Sequence, residues 1–161
     1  MAIKEGDRIP DLKLKTPNAD GMPQDVTTGE LFKGKKVVLF AVPGAFTPLC
    51  SAQHLPGFIE KADAIKAKGV DTIVCMSVND GFVMGAWGKD RGAGDKVVML
   101  ADGNGDLTKA LGLEMDVSVA GLGTRSQRFA MIVEDGVVKK LAVEAPQKFE
   151  VSHADAILAA L

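Results

Sequence analysis

Two cysteines and two histidines are the first places to look for nucleophilic chemistry in this chain. Cys50 has the most informative setting. The residues leading to it read Pro43-Gly44-Ala45-Phe46-Thr47-Pro48-Leu49-Cys50, directly after an apolar run from Lys36 to Val42. Thr47 followed by Pro48 is a helix-start signature: threonine serves as N-cap, and proline fits the first helical position because no N–H is needed there. Cys50 then falls in the first turn. Backbone N–H groups there lack intrahelical partners, and the helix dipole adds positive charge. Both effects favour the thiolate, the nucleophilic form. The position also suits a buried structural cysteine, since cysteine is among the most buried residue types.

The other candidates are weaker. His54 lies four residues after Cys50, on the same helix face if the first turns are regular. There it serves either as a general base, as in a cysteine hydrolase, or as structural support. Arg128 begins an otherwise apolar strand, where it either snorkels at the strand end or answers a buried charge. Cys75 sits in Thr72-Ile73-Val74-Cys75-Met76-Ser77-Val78, a strand expected to be buried on both faces, and reads as a core residue. A disulfide needs Cα atoms within about 7 Å, so Cys75 would reach Cys50 only after local unfolding. His153, beside the last helix cap, is expected to face solvent. Asp102-Gly103-Asn104-Gly105-Asp106 starts like a calcium loop, but Leu107 and Leu113 occupy its glycine and bidentate-glutamate positions, so it reads as a turn. Gly121-Leu122-Gly123 and Gly92-Ala93-Gly94 complete no phosphate-binding pattern. Two cysteines are too few for a four-sulfur metal site or a disulfide framework, and no metal is expected.

Positioning Cys50 requires a strand that delivers it and a helix that receives it. Lys36 to Val42, Asp71 to Val78 and Val97 to Ala101 read as buried parallel strands. Arg128 to Glu134 and Val137 to Val143 flank Asp135-Gly136, a strong hairpin signal. Leu12 to Val26 adds a marginal hairpin. Helices are expected over Ile59 to Lys68, over Asp80 to Lys89, and over Ser152 to Leu161 with Ser152 as cap. Strands alternating with helices, then a terminal hairpin and helix, describe an α/β fold: a thioredoxin-like central mixed sheet flanked by helices.

Across 161 residues the chain shows no repeat or linker, so one domain, 1–161, is expected. Hydrophobic residues make up 47%, charged residues 25%, and the net charge is −2. That balance is globular and argues for neither nucleic acid nor a membrane surface as partner. The first residues are mixed and charged, without the apolar core of a signal peptide, and a cytoplasmic location is the expectation.

The run Val42-Pro43-Gly44-Ala45-Phe46-Thr47-Pro48-Leu49-Cys50-Ser51, followed by His54-Leu55-Pro56-Gly57-Phe58, closely resembles the peroxiredoxin signature, in its type II (type D, or peroxiredoxin five) variant. The likeness extends through Ser77-Val78-Asn79-Asp80, Phe82-Val83-Met84, Trp87, Leu100-Ala101-Asp102, Ala110-Leu111-Gly112-Leu113 and Gly121 to Phe129, essentially the whole chain. It implies a cofactor-free thiol peroxidase that reduces hydrogen peroxide and alkyl hydroperoxides. Cys50 matches the peroxidatic cysteine, which becomes a sulfenic acid. Thr47 matches the threonine that bonds thiolate and peroxide, Pro43 the proline that shields the sulfur, and Arg128 the arginine facing it. Gly44, Arg125 and His54 match supporting positions. Some relatives carry a resolving cysteine near the C-terminus. This chain has none after Cys75, so an external reductant is implied, glutaredoxin with glutathione or thioredoxin. The resemblance also implies a homodimer through loops carrying Phe46, Phe82, Trp87 and Leu122.

Two rivals stand beside this reading. A thiol–disulfide oxidoreductase on the same fold needs a Cys-x-x-Cys pair, and Thr47 fills its first position. A non-enzymatic holdase would use exposed apolar surface.

Overall fold

Each of the three apolar runs becomes a strand with at most its first residue touching solvent: β3 (Lys36–Ala41), β4 (Thr72–Ser77) and β5 (Val98–Ala101). The computed structural model, which describes residues 2–161, pairs β3 with β4 and β4 with β5 in parallel. Antiparallel strands complete a seven-stranded mixed sheet in the order β2-β1-β5-β4-β3-β8-β9. These are β1 (Lys13–Pro17), β2 (Pro23–Thr27), β8 (Phe129–Glu134) and β9 (Val137–Val143). The hairpin expected at Asp135-Gly136 forms, and both residues adopt positive φ, 49° and 80°, as a two-residue turn between right-twisted strands requires.

Alternation along the strands divides the interior in two. Val38, Phe40 and Cys75 face one apolar layer; Val37, Leu39 and Val74 face the other. The first layer is covered by α2 (Leu55–Glu60), α3 (Ala62–Ala67), α4 (Gly81–Arg91) and α6 (Ala154–Ala160), which bury Phe58, Ile65, Trp87 and Ile157. The second is covered by α1 (Thr28–Phe32) and α5 (Asp106–Leu111), through Phe32, Leu107 and Leu111. Each such fully buried side chain contributes about 1.5–3 kcal/mol. A separate small hairpin, β6 (Glu114–Asp116) with β7 (Thr124–Ser126), stands off the sheet and carries Arg125.

Several sequence expectations shift. The helix expected over Ile59 to Lys68 starts earlier and breaks at Lys61 (φ −94°, ψ 6°) into α2 and α3, because it continues the turn that begins at Pro48. The Asp80 helix runs to Arg91, with Asp80 as its cap and Gly92 as its left-handed end. Ser152 does not cap α6. Its hydroxyl donates to Glu144, and the cap is His153, whose Nδ1 accepts from the Ala156 N–H at 3.1 Å. His153 is therefore half-buried rather than solvent-facing, with Phe149 edge-on at 5.5 Å. Asp102 is fully buried and binds the Leu107 and Thr108 N–H groups at the start of α5, so the segment that starts like a calcium loop is a helix-capping turn.

Candidate active site

The site begins where β3 ends. The chain leaves the sheet at Val42, turns through Gly44 to Thr47, and enters helical backbone at Pro48. Thr47 occupies the N-cap position, with its carbonyl accepting from the Ser51 N–H at 2.9 Å. Contrary to the expectation from sequence, its hydroxyl neither caps the helix nor bonds Cys50. It donates instead to the Gly44 carbonyl at 2.7 Å, closing the turn. Phe46 sits in that turn at φ 64°, a conformation that costs a non-glycine residue about 1–3 kcal/mol. Asn79, just past β4, holds the loop by accepting the Ala45 N–H at 3.0 Å.

The first turns are not regular. Cys50–His54 form a π-turn, in which the Leu55 N–H bonds to the Cys50 carbonyl. Such widened turns concentrate at functional sites. Here the turn and Arg128, which directly precedes β8, bring three side chains together. Arg128 Nη2 donates to Cys50 Sγ at 3.1 Å, and Nη1 donates to His54 Nδ1 at 2.8 Å. His54 Nε2 donates to the Ser152 carbonyl at 3.0 Å. A guanidinium only donates and a carbonyl only accepts, so His54 is neutral with its proton on Nε2. Burial first, then the Arg128 charge, push its pKa down to about 3, opposed by the Ser152 and Glu144 oxygens. His54 thus has no free lone pair with which to act as a base; it orients the arginine.

Of the expected residues, the structure brings Cys50, His54 and Arg128 into contact. Cys50 has no accessible surface, 0%, and lies in the apolar layer beneath α2. Arg125 stands above the loop: Nε donates to the Leu122 carbonyl at 2.9 Å and Nη1 to the Pro43 carbonyl at 3.5 Å. Gly44 is explained by space, since a Cβ there would lie 3.1 Å from Thr47 Cγ2 and 3.2 Å from Arg125 Nη1. Cys75 is fully buried at the middle of β4, and both thiols are free. Burial, then the neighbouring Cys50, raise the Cys75 pKa well above its ordinary value, against a small opposing pull from Arg128. Trp87 lies in the core; its Nε1 donates to Ser51 Oγ at 2.9 Å and fixes the turn beside Cys50.

The roles of Asn79, Ser51 and Glu144 were not read from the sequence. A polar residue at the end of a buried strand was the available signal for Asn79. Nothing in the spacing marks Glu144, whose partners lie six to eight residues on.

The Redoxin family matches residues 4–158. Peroxiredoxin-2E-2, a chloroplast protein of Oryza sativa subsp. japonica, is 55% identical over 99% of this chain and 72% of its own length. Reduced Prx3 from Vibrio vulnificus, solved in complex with hydrogen peroxide, gives a TM-score of 0.93 at 56% identity, covering 98% of each chain. A Burkholderia cenocepacia structure provisionally described as a thioredoxin reductase gives a TM-score of 0.96 at 50% identity, covering 100% of this chain and 99% of that one. A dithiol exchange motif would need cysteine where this chain has Thr47. The peroxiredoxin likeness agrees with the lone sulfur held at the helix start by a guanidinium, and the chain belongs to the redoxin family as a peroxiredoxin, a thiol-dependent peroxidase on the thioredoxin fold.

Proposed function

We propose that Cys50 is the peroxidatic cysteine and that hydrogen peroxide and small alkyl hydroperoxides are its substrates. The carrying observation is the 3.1 Å contact from the Arg128 guanidinium to Sγ. The thiolate attacks one peroxide oxygen in line. The S–O bond forms, the O–O bond breaks, and its electron pair leaves on the distal oxygen, which takes a proton to become water or an alcohol. Cys50 is left as a sulfenic acid. Negative charge moves from sulfur to the leaving oxygen, and Arg128 presents fixed donors at that place without reorganising. Thr47, its proton given to Gly44, offers lone pairs to the peroxide O–H. The sulfur has no accessible surface, which favours a small oxidant over a bulky one.

Regeneration takes two electrons from an external thiol. One thiol displaces water from the sulfenic acid to give a mixed disulfide, and a second releases Cys50. Cys75 lies at the strand centre with its thiol held protonated by burial, which favours glutaredoxin with glutathione, or thioredoxin, over an internal partner. A homodimer fits the exposed rings of Phe46 and Phe82, 51% and 59% accessible, and sedimentation velocity checks that pairing. Trp87 belongs to the core and takes no part in it. A cytoplasmic setting suits two unpaired thiols; fractionation of a tagged copy tests it.

The assignment is tested by following peroxide consumption by purified protein with each reductant system. Cys50→Ser is expected to abolish turnover with both. Residual turnover of the folded variant above a few per cent would reject it.

A further inference from the structure

β9 ends at Val143, and the next residue is a carboxylate facing inward. Glu144 is 7% exposed, and no lysine or arginine among the described residues pairs with it. Its oxygens are instead wrapped by one returning stretch of backbone. They accept from the N–H groups of Glu150 at 2.9 Å, Val151 at 2.9 Å and Ser152 at 2.8 Å, and from the Ser152 hydroxyl at 2.7 Å. Burial raises the carboxyl pKa, but these donors outweigh it and hold the group ionised, below its ordinary range. An ionised carboxylate accepting several N–H bonds is the strong form of this contact.

The hub has two outlets, and both lead to one guanidinium. Through the backbone, the Glu144 N–H donates to the carbonyl of Arg128 itself at 2.9 Å. Through the side chain, the carboxylate fixes Ser152, whose carbonyl takes the Nε2 proton of His54, whose Nδ1 in turn takes a proton bond from Arg128. The same returning segment lays Phe149 against both links, 5.0 Å from the His54 ring and 5.7 Å from the guanidinium carbon. Without the carboxylate, three adjacent N–H groups and a hydroxyl lose their common acceptor, and the backbone leading to the Ser152 carbonyl loses that anchor.

We propose that Glu144 is a positioning residue for peroxide reduction: it shapes the 150–152 backbone so that Ser152 sets the His54 ring, and that ring holds Arg128 against the Cys50 sulfur. The proposal rests on Cys50 being the peroxidatic residue. It makes peroxide reactivity depend on a carboxylate that touches neither sulfur nor substrate. Ser152 therefore matters through its carbonyl more than through its hydroxyl.

The test is a double-mutant cycle on the rate of Cys50 oxidation, followed in stopped flow by the chain's single tryptophan, which is bonded to Ser51 beside the sulfur. Glu144→Ala is expected to slow oxidation on the order of 10²-fold, the loss a displacement of about 1 Å brings. His54→Phe, which cuts the relay one step later, is expected to lose a similar factor, and the double variant no more than about twofold beyond it. A knot that merely stabilises the loop would lower the urea midpoint, leave the folded protein's oxidation rate within twofold of the parent, or multiply with His54→Phe; any of the last two overturns the proposal. Should Glu144→Ala fail to fold, Glu144→Gln enters the same cycle. It keeps one carbonyl oxygen for Ser152, and a several-fold loss that vanishes in the His54→Phe background is expected. An unchanged rate, or a multiplicative one, overturns the proposal equally. Cys50→Ser separates the two levels: peroxide reactivity surviving in it defeats the cysteine assignment, whereas its loss together with a fast Glu144→Ala defeats the relay alone.

Discussion

Cys50 and Cys75 are equally hidden. Each has no accessible surface, and both lie in the same apolar layer. Their polar neighbours differ. Cys75 sits mid-strand, in register with Phe40 on one side and Met99 on the other, and burial drives its thiol toward the neutral form. Cys50 lies past the strand end, at the start of a helix, with an arginine N–H on its sulfur. Burial alone therefore does not decide what a thiol does. A charge brought within hydrogen-bond distance does, and it can be delivered where strands end and loops begin, not where ladders run unbroken.

Removing that charge is the most direct way to break the contrast. Arg128→Ala is expected to slow Cys50 oxidation by about 10²–10³-fold, the range found on deleting one preorganised donor at a developing charge. Arg128→Lys is expected to recover little, because an ammonium cannot reach Sγ and His54 Nδ1 together as the guanidinium fork does. Stopped-flow oxidation at fixed peroxide measures both. A rate within threefold of the parent for the alanine variant would mean that the two cysteines differ for another reason.

Acid attacks the same side of the contrast. His54 has a folded-state pKa of about 3 against an ordinary 6.5, lowered by burial first and by Arg128 second. On acidification the unfolded chain takes up a proton that the folded chain refuses. Stability is therefore complete above about pH 6.5 and falls as pH drops toward 3, by about 3 kcal/mol at pH 4. Urea midpoints between pH 7 and pH 4 measure the slope. In His54→Phe the slope over that window is expected to flatten. Glu144 adds loss of the same sign that sets in near its ordinary pKa of 4.5, at the acid end of the window, because its donors hold the folded carboxyl below that value.

What was legible in the sequence follows the same division. Parallel strands buried on both faces announce themselves as apolar runs, and Asp135-Gly136 announces its hairpin through the need for positive φ. Thr47-Pro48 marks the helix start because those types suit a cap and a first turn. The π-turn at Cys50–His54 left no such mark: its widening is a tertiary effect, with Trp87 holding Ser51 and Arg128 holding His54 and Cys50 from other elements. Ser152 and His153 exchanged the expected cap for a similar reason. Either side chain can accept an N–H, and the choice fell to Glu144, which occupies the serine. The Arg128 partnership itself, some 78 residues from Cys50 along the chain, was read through family resemblance and not from local pattern.

The smallest expected effect sharpens the contrast from the Cys75 side. Cys75→Ser swaps a sulfur for a hydroxyl among Phe40, Met99 and the other side chains of a fully packed layer. A hydroxyl lacking a partner there costs about 1–3 kcal/mol, read as a lower urea midpoint. Cys75→Ala carries no polar group into the layer and is expected to cost less. Both variants keep Arg128 on Cys50, so peroxidase turnover is expected to stay at most of the parent rate. In a Cys50→Ser background, the remaining Cys75 thiol is expected to meet an alkylating reagent only as fast as the sheet opens, because β3 and β5 pair on either side of β4. Rapid labelling of native protein, or loss of turnover in a folded Cys75→Ser variant, would place Cys75 in the redox cycle and remove the distinction between a thiol that is merely buried and one that is buried beside a charge.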